Sequence, residues 1–164
     1  RDVTTEHEGE VSTILHDELA EGDSINLSAP VGPFKVENLN NEQLFLGSGI
    51  GVTPLVPMFN EVVTNGSKAQ FIQVTNDVND VPFESLINEI ASTKESVNYQ
   101  LHDKNSEGYL DTEKLRAYIN EETEIYICGG THFLQSIIKA LKEMNVDTSK
   151  IHYETFIPKL SVTV

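Results

Sequence analysis

A chain of 164 residues can bury one full core, or one domain together with a fragment of another. Its 26 acidic residues against 11 basic ones leave a net charge of −15, which argues against nucleic acid and anionic membranes as partners, because both call for basic patches. The only cysteine, Cys128, excludes an intramolecular disulfide and fits a reducing cytosol.

No apolar run reaches membrane-spanning length and no charged-then-apolar leader opens the sequence, so a cytoplasmic protein is expected. The first residue is Arg1 rather than Met, and the chain reads as a piece of something longer. Its histidines, His7, His16, His102, His132 and His152, are scattered without ligand spacing, so no metal site is expected.

Residues 1–37 read differently from the remainder. Gly9-Glu10-Val11-Ser12 precedes a short helical pattern from Thr13 to Leu19, with Ser12 as N-cap and Gly22 as the stop. Ser24 to Ala29 then alternates polar and apolar residues, the mark of a half-buried strand, and Pro30-Val31-Gly32-Pro33-Phe34 ends it as a turn. One helix and a strand or two cannot close a core. This part is therefore expected to be the C-terminal portion of an incomplete antiparallel β-barrel, ahead of a separate domain over residues 38–164.

After a polar linker from Asn38 to Asn41 the pattern becomes regular. Strands are expected at Gln43–Gly47, Gln70–Thr75, Val97–His102, Glu124–Cys128 and Lys150–Glu154, roughly one βα unit apart. Helical stretches lie between them at Pro54–Thr64, Pro82–Ser92, Thr112–Ile119 and His132–Met144, with Asp111 and Thr131 where N-caps belong and Gly66 where a C-cap belongs. This alternation predicts an α/β fold: a doubly wound, five-stranded parallel sheet in the order 3-2-1-4-5.

The first strand runs into Gly47-Ser48-Gly49-Ile50-Gly51-Val52-Thr53-Pro54. Glycines without Cβ atoms let a pyrophosphate approach the backbone, and the helix that follows offers free amides, with Thr53 as the expected cap and Pro54 at the first helical position. Val52 stands where the third glycine of the dinucleotide fingerprint belongs, so the strict pattern is not met. In the predicted order the fourth strand lies beside the first. Its end, Cys128-Gly129-Gly130-Thr131, therefore faces the same crevice and adds a second helix N-terminus. Backbone capture of a phosphate is the natural use of two such ends.

Cys128 is read either as a contact to a reacting ring or as a small buried thiol, a nucleophile being the weaker idea without an adjacent base. Ala69 to Thr93 contains no Arg or Lys, which favours NADH over NADPH; Asp77 is placed to accept from a ribose hydroxyl or to serve as a solvated turn residue.

Taken together, Gly47-Ser48-Gly49-Ile50-Gly51-Val52-Thr53-Pro54, Cys128-Gly129-Gly130 and Tyr153-Glu154-Thr155-Phe156-Ile157-Pro158 resemble, in order and spacing, the NAD domain of ferredoxin-NADP-reductase-like flavoenzymes, above all the reductase portion of bacterial flavohemoglobins. Gly9-Glu10-Val11-Ser12 with Leu15-His16-Asp17, and Ala29-Pro30-Val31-Gly32-Pro33-Phe34, resemble the second half of that family's FAD-binding barrel. The resemblance implies hydride transfer from NADH to FAD and electron transfer onward to heme in a globin domain of the parent chain, which in the intact family member is a nitric oxide dioxygenase.

It further implies that Gly49, Gly51, Thr53 and Pro54 line the pyrophosphate loop, that Cys128 and Gly129 flank the nicotinamide, that Phe156 covers the flavin and that Ser12 helps hold the FAD phosphates. The other expectation is a truncated NADH-binding module that turns nothing over, because half of the flavin site and the globin are missing. A flavodoxin-like signalling domain would need acidic residues at the end of the first strand, where only Gly and Ser stand.

Overall fold

The five apolar runs form five parallel strands, β1 (Gln43–Ser48), β2 (Ala69–Thr75), β3 (Val97–Asp103), β4 (Glu124–Gly129) and β5 (Ile151–Thr155), in a computed structural model that describes residues 13–155. Their order is β3-β2-β1-β4-β5, as the alternation of elements predicts. The helices between them are α1 (Val52–Asn65), α2 (Glu84–Ala91), the one-turn α3 (Lys104–Glu107), α4 (Thr112–Leu115, continued as a 3-10 turn over Arg116–Tyr118) and α5 (Thr131–Glu143). In register, β1 sets Gly47 beside Gln73 on one side and Cys128 on the other, so the C-terminal ends of the three central strands lie level.

Alternation along the central strands sorts the core into two layers. Phe45, Phe71, Tyr126 and Cys128 face α1, whose Leu55, Phe59 and Val62 cover them. Leu44, Leu46, Ile72, Ile125 and Ile127 face the other way, against Leu134, Ile137 and Leu141 of α5 and Leu115 of α4. Both faces of a parallel sheet must be covered in this way, which is why these strands are nearly continuous in apolar residues. The Phe45 ring is the centre of the first layer, stacked on Phe71 at 5.9 Å and on Tyr126 at 5.2 Å, with Phe59 edge-on at 5.6 Å.

The chain falls into two units that meet between Gly32 and Pro33. In the first, the helical pattern reduces to one π-helical turn, Ile14–Glu18, closed by the Leu19 N–H on the Ile14 carbonyl at 3.0 Å. The strand expected over Ser24–Ala29 is not formed: no described strand pairs with it, and Leu27 is 82% exposed. Alternating residues become a strand only where a neighbour takes up the backbone N–H and C=O groups. In the second unit, Phe34, Val36 and Leu39 of the segment before β1 pack against the α1-side core.

Two expected helix caps are corrected. A 3-10 turn over Gly49–Gly51 leads directly into α1, which therefore starts earlier than expected, with Gly51 as N-cap. Thr53 is already helical, and its hydroxyl donates back to the Ile50 carbonyl at 2.9 Å rather than capping. Pro54 is the third helical residue, still within the turn whose N–H groups have no intrahelical acceptor. Likewise Gly130, not Thr131, is the N-cap of α5. Asp111 and Gly66 cap as expected, the former accepting the Lys114 N–H at 3.1 Å and the latter at φ +87°.

Candidate functional site

The ends of β1 and β4 meet backbone to backbone. A Cβ on Gly51 would lie 2.4 Å from the Cys128 carbonyl oxygen and 2.6 Å from Gly129 Cα, so the loop after β1 closes onto β4 only because residue 51 has no side chain. Gly47 is similarly enclosed by Val52 and Leu55, and Gly129 by Phe133 and Ser48. By contrast, Gly49, at φ +55°, and Gly130 face open space, with nothing within 4 Å of an added Cβ. Three glycines thus allow close packing at the strand ends, beside two that leave the backbone bare.

Next to this junction lies a cleft of about 370 Å³, lined by Ser48, Asn76, Lys104, Tyr109, Gly130, Thr131 and Phe133 among others. It occupies the α5 side of the sheet, outside the carboxyl ends of β1, β2 and β3, where open parallel sheets bind ligands. The first amides of α5 have no acceptor within the helix, and the dipole of its 13 residues places partial positive charge at the same end. Among the described residues Lys104 is the only Lys or Arg in the lining. In a chain of net charge −15, an anion must find its attraction in such local features.

The wall that carries Lys104 is missed by sequence reasoning. After β3 the chain makes the one-turn helix α3, started by Asp103, whose carboxylate accepts the Asn105 N–H at 2.9 Å and the Ser106 hydroxyl at 2.7 Å. Those bonds hold the Asp103 carboxyl below the usual range, the Ser106 hydroxyl contributing most. Behind the loop His102, 1% exposed, donates from Nε2 to the Gly108 carbonyl at 2.8 Å. Asn105 Nδ2 donates to the Asn76 carbonyl and ties this loop to the one after β2. The Lys104 ammonium lies 5.4 Å from the centroid of the Tyr109 ring, a cation–π contact on the cleft wall. The legible signal was the Asp-x-x-Ser start of α3, a cap pattern too short to stand out beside the longer helices.

The remaining expected site residues are distributed unevenly. Ser48, Gly130 and Thr131 line the cleft, while Gly49 and Ile50 lie exposed at the head of the loop and Val52 is buried beneath it. Thr53 and Pro54 follow in the first turn of α1. Cys128 is fully buried and faces α1, away from the cleft. Burial, reinforced by the charge of Glu154, pushes its thiol up to about 11, which leaves little nucleophilic thiolate at neutral pH. Asp77 is exposed and does not line the cleft; its Oδ1 accepts the Asn79 N–H at 3.0 Å in an Asx turn, and its neighbour Asn76 takes the lining position. Ser12 and Phe156 lie outside the described residues. No helix of the described residues is long and apolar enough to cross a membrane.

No protein-family model matches the chain. By sequence it is 30% identical over 166 residues to the flavohemoprotein of Halalkalibacterium halodurans, spanning 92% of this chain and 40% of that protein. It is 30% identical over 178 residues to the flavohemoprotein of Bacillus subtilis, spanning 98% of this chain and 44% of that protein. The chain thus spans less than half the length of these curated relatives. By structure it is similar to the flavohem-like FAD/NAD-binding domain of a nitric oxide dioxygenase from Vibrio cholerae, with a TM-score of 0.77 and 24% identity over 95% of this chain and 68% of that one. The sheet order and interleaved helices found here are those of the reductase-like fold these comparisons describe.

Proposed function

We propose that this chain is the reductase portion of a flavohemoprotein, and that it binds NADH at the paired ends of β1 and β4 for hydride transfer to FAD. In the parent chain the electrons continue to a heme in a globin domain, and the whole performs nitric oxide dioxygenation. Residues 38–164 form the NAD-binding domain on this reading, and residues 1–37 belong to the FAD-binding barrel. The observation that carries it is the contact of Gly51 with the Cys128–Gly129 backbone, which brings two glycine-lined strand ends to one cleft.

The described residues fit a dinucleotide. Gly49 and Gly130 leave the open backbone surface that a pyrophosphate needs, the N-terminus of α5 supplies unpaired amides, and Lys104 offers a cation to a phosphate oxygen. When bound, NADH supplies a hydride and FAD accepts it. The protein need only hold the two rings together and keep water out, and so no acid–base pair is required at the site. Ser48 and Asn76 offer side-chain and backbone polar groups to the cofactor, and Phe133 and Tyr109 offer apolar walls. Ser12 and Phe156 take the flavin contacts that the family resemblance gives them, Cys128 meets the nicotinamide from the α1 side of the strand ends rather than from within the cleft, and Asp77 stands at the ribose end.

To test this, the full chain is titrated with FAD and NADH consumption is followed by absorbance with an artificial electron acceptor. Turnover well above that of free FAD supports the reductase. NADH binding without turnover supports the second reading, a binding module alone. Absence of NADH binding defeats both.

Two substitutions probe the site further. Cys128→Ala is expected to slow hydride transfer more than it weakens NADH binding; an unchanged rate removes Cys128 from the site. Lys104→Ala is expected to lower NADH affinity up to about fivefold, the size of a partly exposed charge pair, with the difference shrinking at high salt. Equal affinity of the unmodified chain for NADPH would contradict the preference for NADH drawn from the absence of Arg and Lys between Ala69 and Thr93.

A further inference from the structure

The buried carboxylate of Glu124 lies at the opposite end of β4 from the cleft, and nothing in the proposed chemistry uses it. Glu124 opens β4 and is 5% exposed. Its Oε1 accepts from Asn41 Nδ2 at 2.8 Å and from Lys150 Nζ at 2.9 Å, and its Oε2 accepts from His152 Nε2 at 2.9 Å. Burial pushes the carboxyl up, but the bonds from His152, Lys150 and Asn41 outweigh it and hold the group below the ordinary glutamate value. It is therefore an anion at neutral pH, with both oxygens occupied.

Such a group costs more than an apolar residue at a strand start unless it joins something that packing alone does not hold. Its donors come from two separate segments: Asn41 from the stretch that enters β1, and Lys150 and His152 from the beginning of β5. The latter is an edge strand with β4 as its only neighbour among the described residues, and none of its residues is fully buried. Tyr126, two residues along the same face, repeats the connection. Its hydroxyl accepts the Glu37 N–H at 2.9 Å, while its ring stacks on that of His152 at 4.8 Å.

We infer that Glu124 is a positioning residue that clamps the segment entering β1 to the edge strand from which the C-terminal part of the chain departs. Without it each segment keeps its own contacts with the sheet, and Tyr126 alone of the two residues still ties one to the other. The consequence for catalysis rests on the proposed function: Phe156, which the family resemblance assigns to the flavin, directly follows β5 in sequence, so loosening β5 slows hydride transfer.

The clamp is tested on the full chain by hydrogen exchange followed by mass spectrometry. Glu124→Gln is expected to speed exchange about tenfold in residues 37–41 and in β5 together, leaving β1, β2 and β3 unchanged, and Glu124→Asp is expected to give the same pattern at smaller size. Asn41→Ala should loosen only the first segment and Lys150→Ala only the second. Faster exchange in one segment alone after Glu124→Gln, or a rise across the whole sheet in both Glu124 variants, overturns the clamp. With FAD and NADH supplied, Glu124→Gln is expected to lower kcat about tenfold while KM for NADH stays within twofold. An unchanged kcat in a chain whose wild type turns over overturns the positioning role, whereas a wild type that never turns over counts against the proposed function and leaves the exchange result standing.

Discussion

Replacing Gly51 by alanine is expected to destabilise the fold by about 3 kcal/mol, the upper range for forcing a methyl group into a filled space. NADH binding should be abolished with it. The added carbon would meet backbone atoms alone, the carbonyl of Cys128 and the Cα of Gly129, at 2.4 to 2.6 Å, and backbone in the middle of a parallel sheet cannot step aside as a side chain can. Relief requires the loop after β1 to lift away from β4, which separates the two strand ends. At a slope of about 2 kcal/mol per molar urea the unfolding midpoint falls by about 1.5 M. Gly130→Ala is the control: its Cβ would touch nothing within 4 Å and its φ is −67°, so stability should stay within about 0.5 kcal/mol. An unchanged midpoint for Gly51→Ala would contradict the close approach of the two ends.

Phe45→Ala should cost more still, about 4 kcal/mol, as is usual when a buried phenylalanine is removed and its neighbours collapse only in part. Phe45 is fully buried and its ring touches Phe59, Phe71 and Tyr126, which belong to three different elements, so no single side-chain movement fills the space. The damage belongs to the α1-side core. The cleft lies on the other face, so the molecules that remain folded should bind NADH with affinity within about twofold of the unmodified chain. Urea denaturation gives the first quantity and calorimetric titration at low temperature the second. A small change in stability would mean that the aromatic cluster is loosely packed. A large loss of affinity in the folded fraction would mean that the two faces are coupled.

Much of the sheet could be read in advance because each strand is buried on both sides and so appears as an unbroken apolar run between turn residues. Gln43, Ala69, Val97, Glu124 and Ile151 open strands within one residue of the expected starts. The order followed from the usual course of doubly wound sheets, which build outward from strand 1 and then return to its other side with right-handed crossovers. Helix starts were less legible. Thr53 and Thr131 look like caps by residue type, yet glycines one or two positions earlier already satisfy the turn, and propensity says nothing about which residue begins the hydrogen-bonded run.

Ser24–Ala29 shows the opposite failure, a correct alternation with no partner strand among the described residues. For the site, the glycines could be read because bare backbone is a property of residue type. Lys104 and Tyr109 could not, because they reach the cleft only through the buried His102 and the Asn105–Asn76 link, contacts between segments that no local pattern encodes. Asp77 stands in an Asx turn, its Oδ1 accepting the Asn79 N–H, a turn that its sequence Asn76-Asp77-Val78-Asn79-Asp80 made legible.

Titrating NADH into the isotope-labelled chain while following backbone amide shifts probes the paired strand ends directly. The expected result is a saturable set of shifts at Ser48–Val52 and at Gly129–Phe133 with one common dissociation constant. Shifts confined to one of these stretches, or none at either while NADH binds, would contradict the assignment.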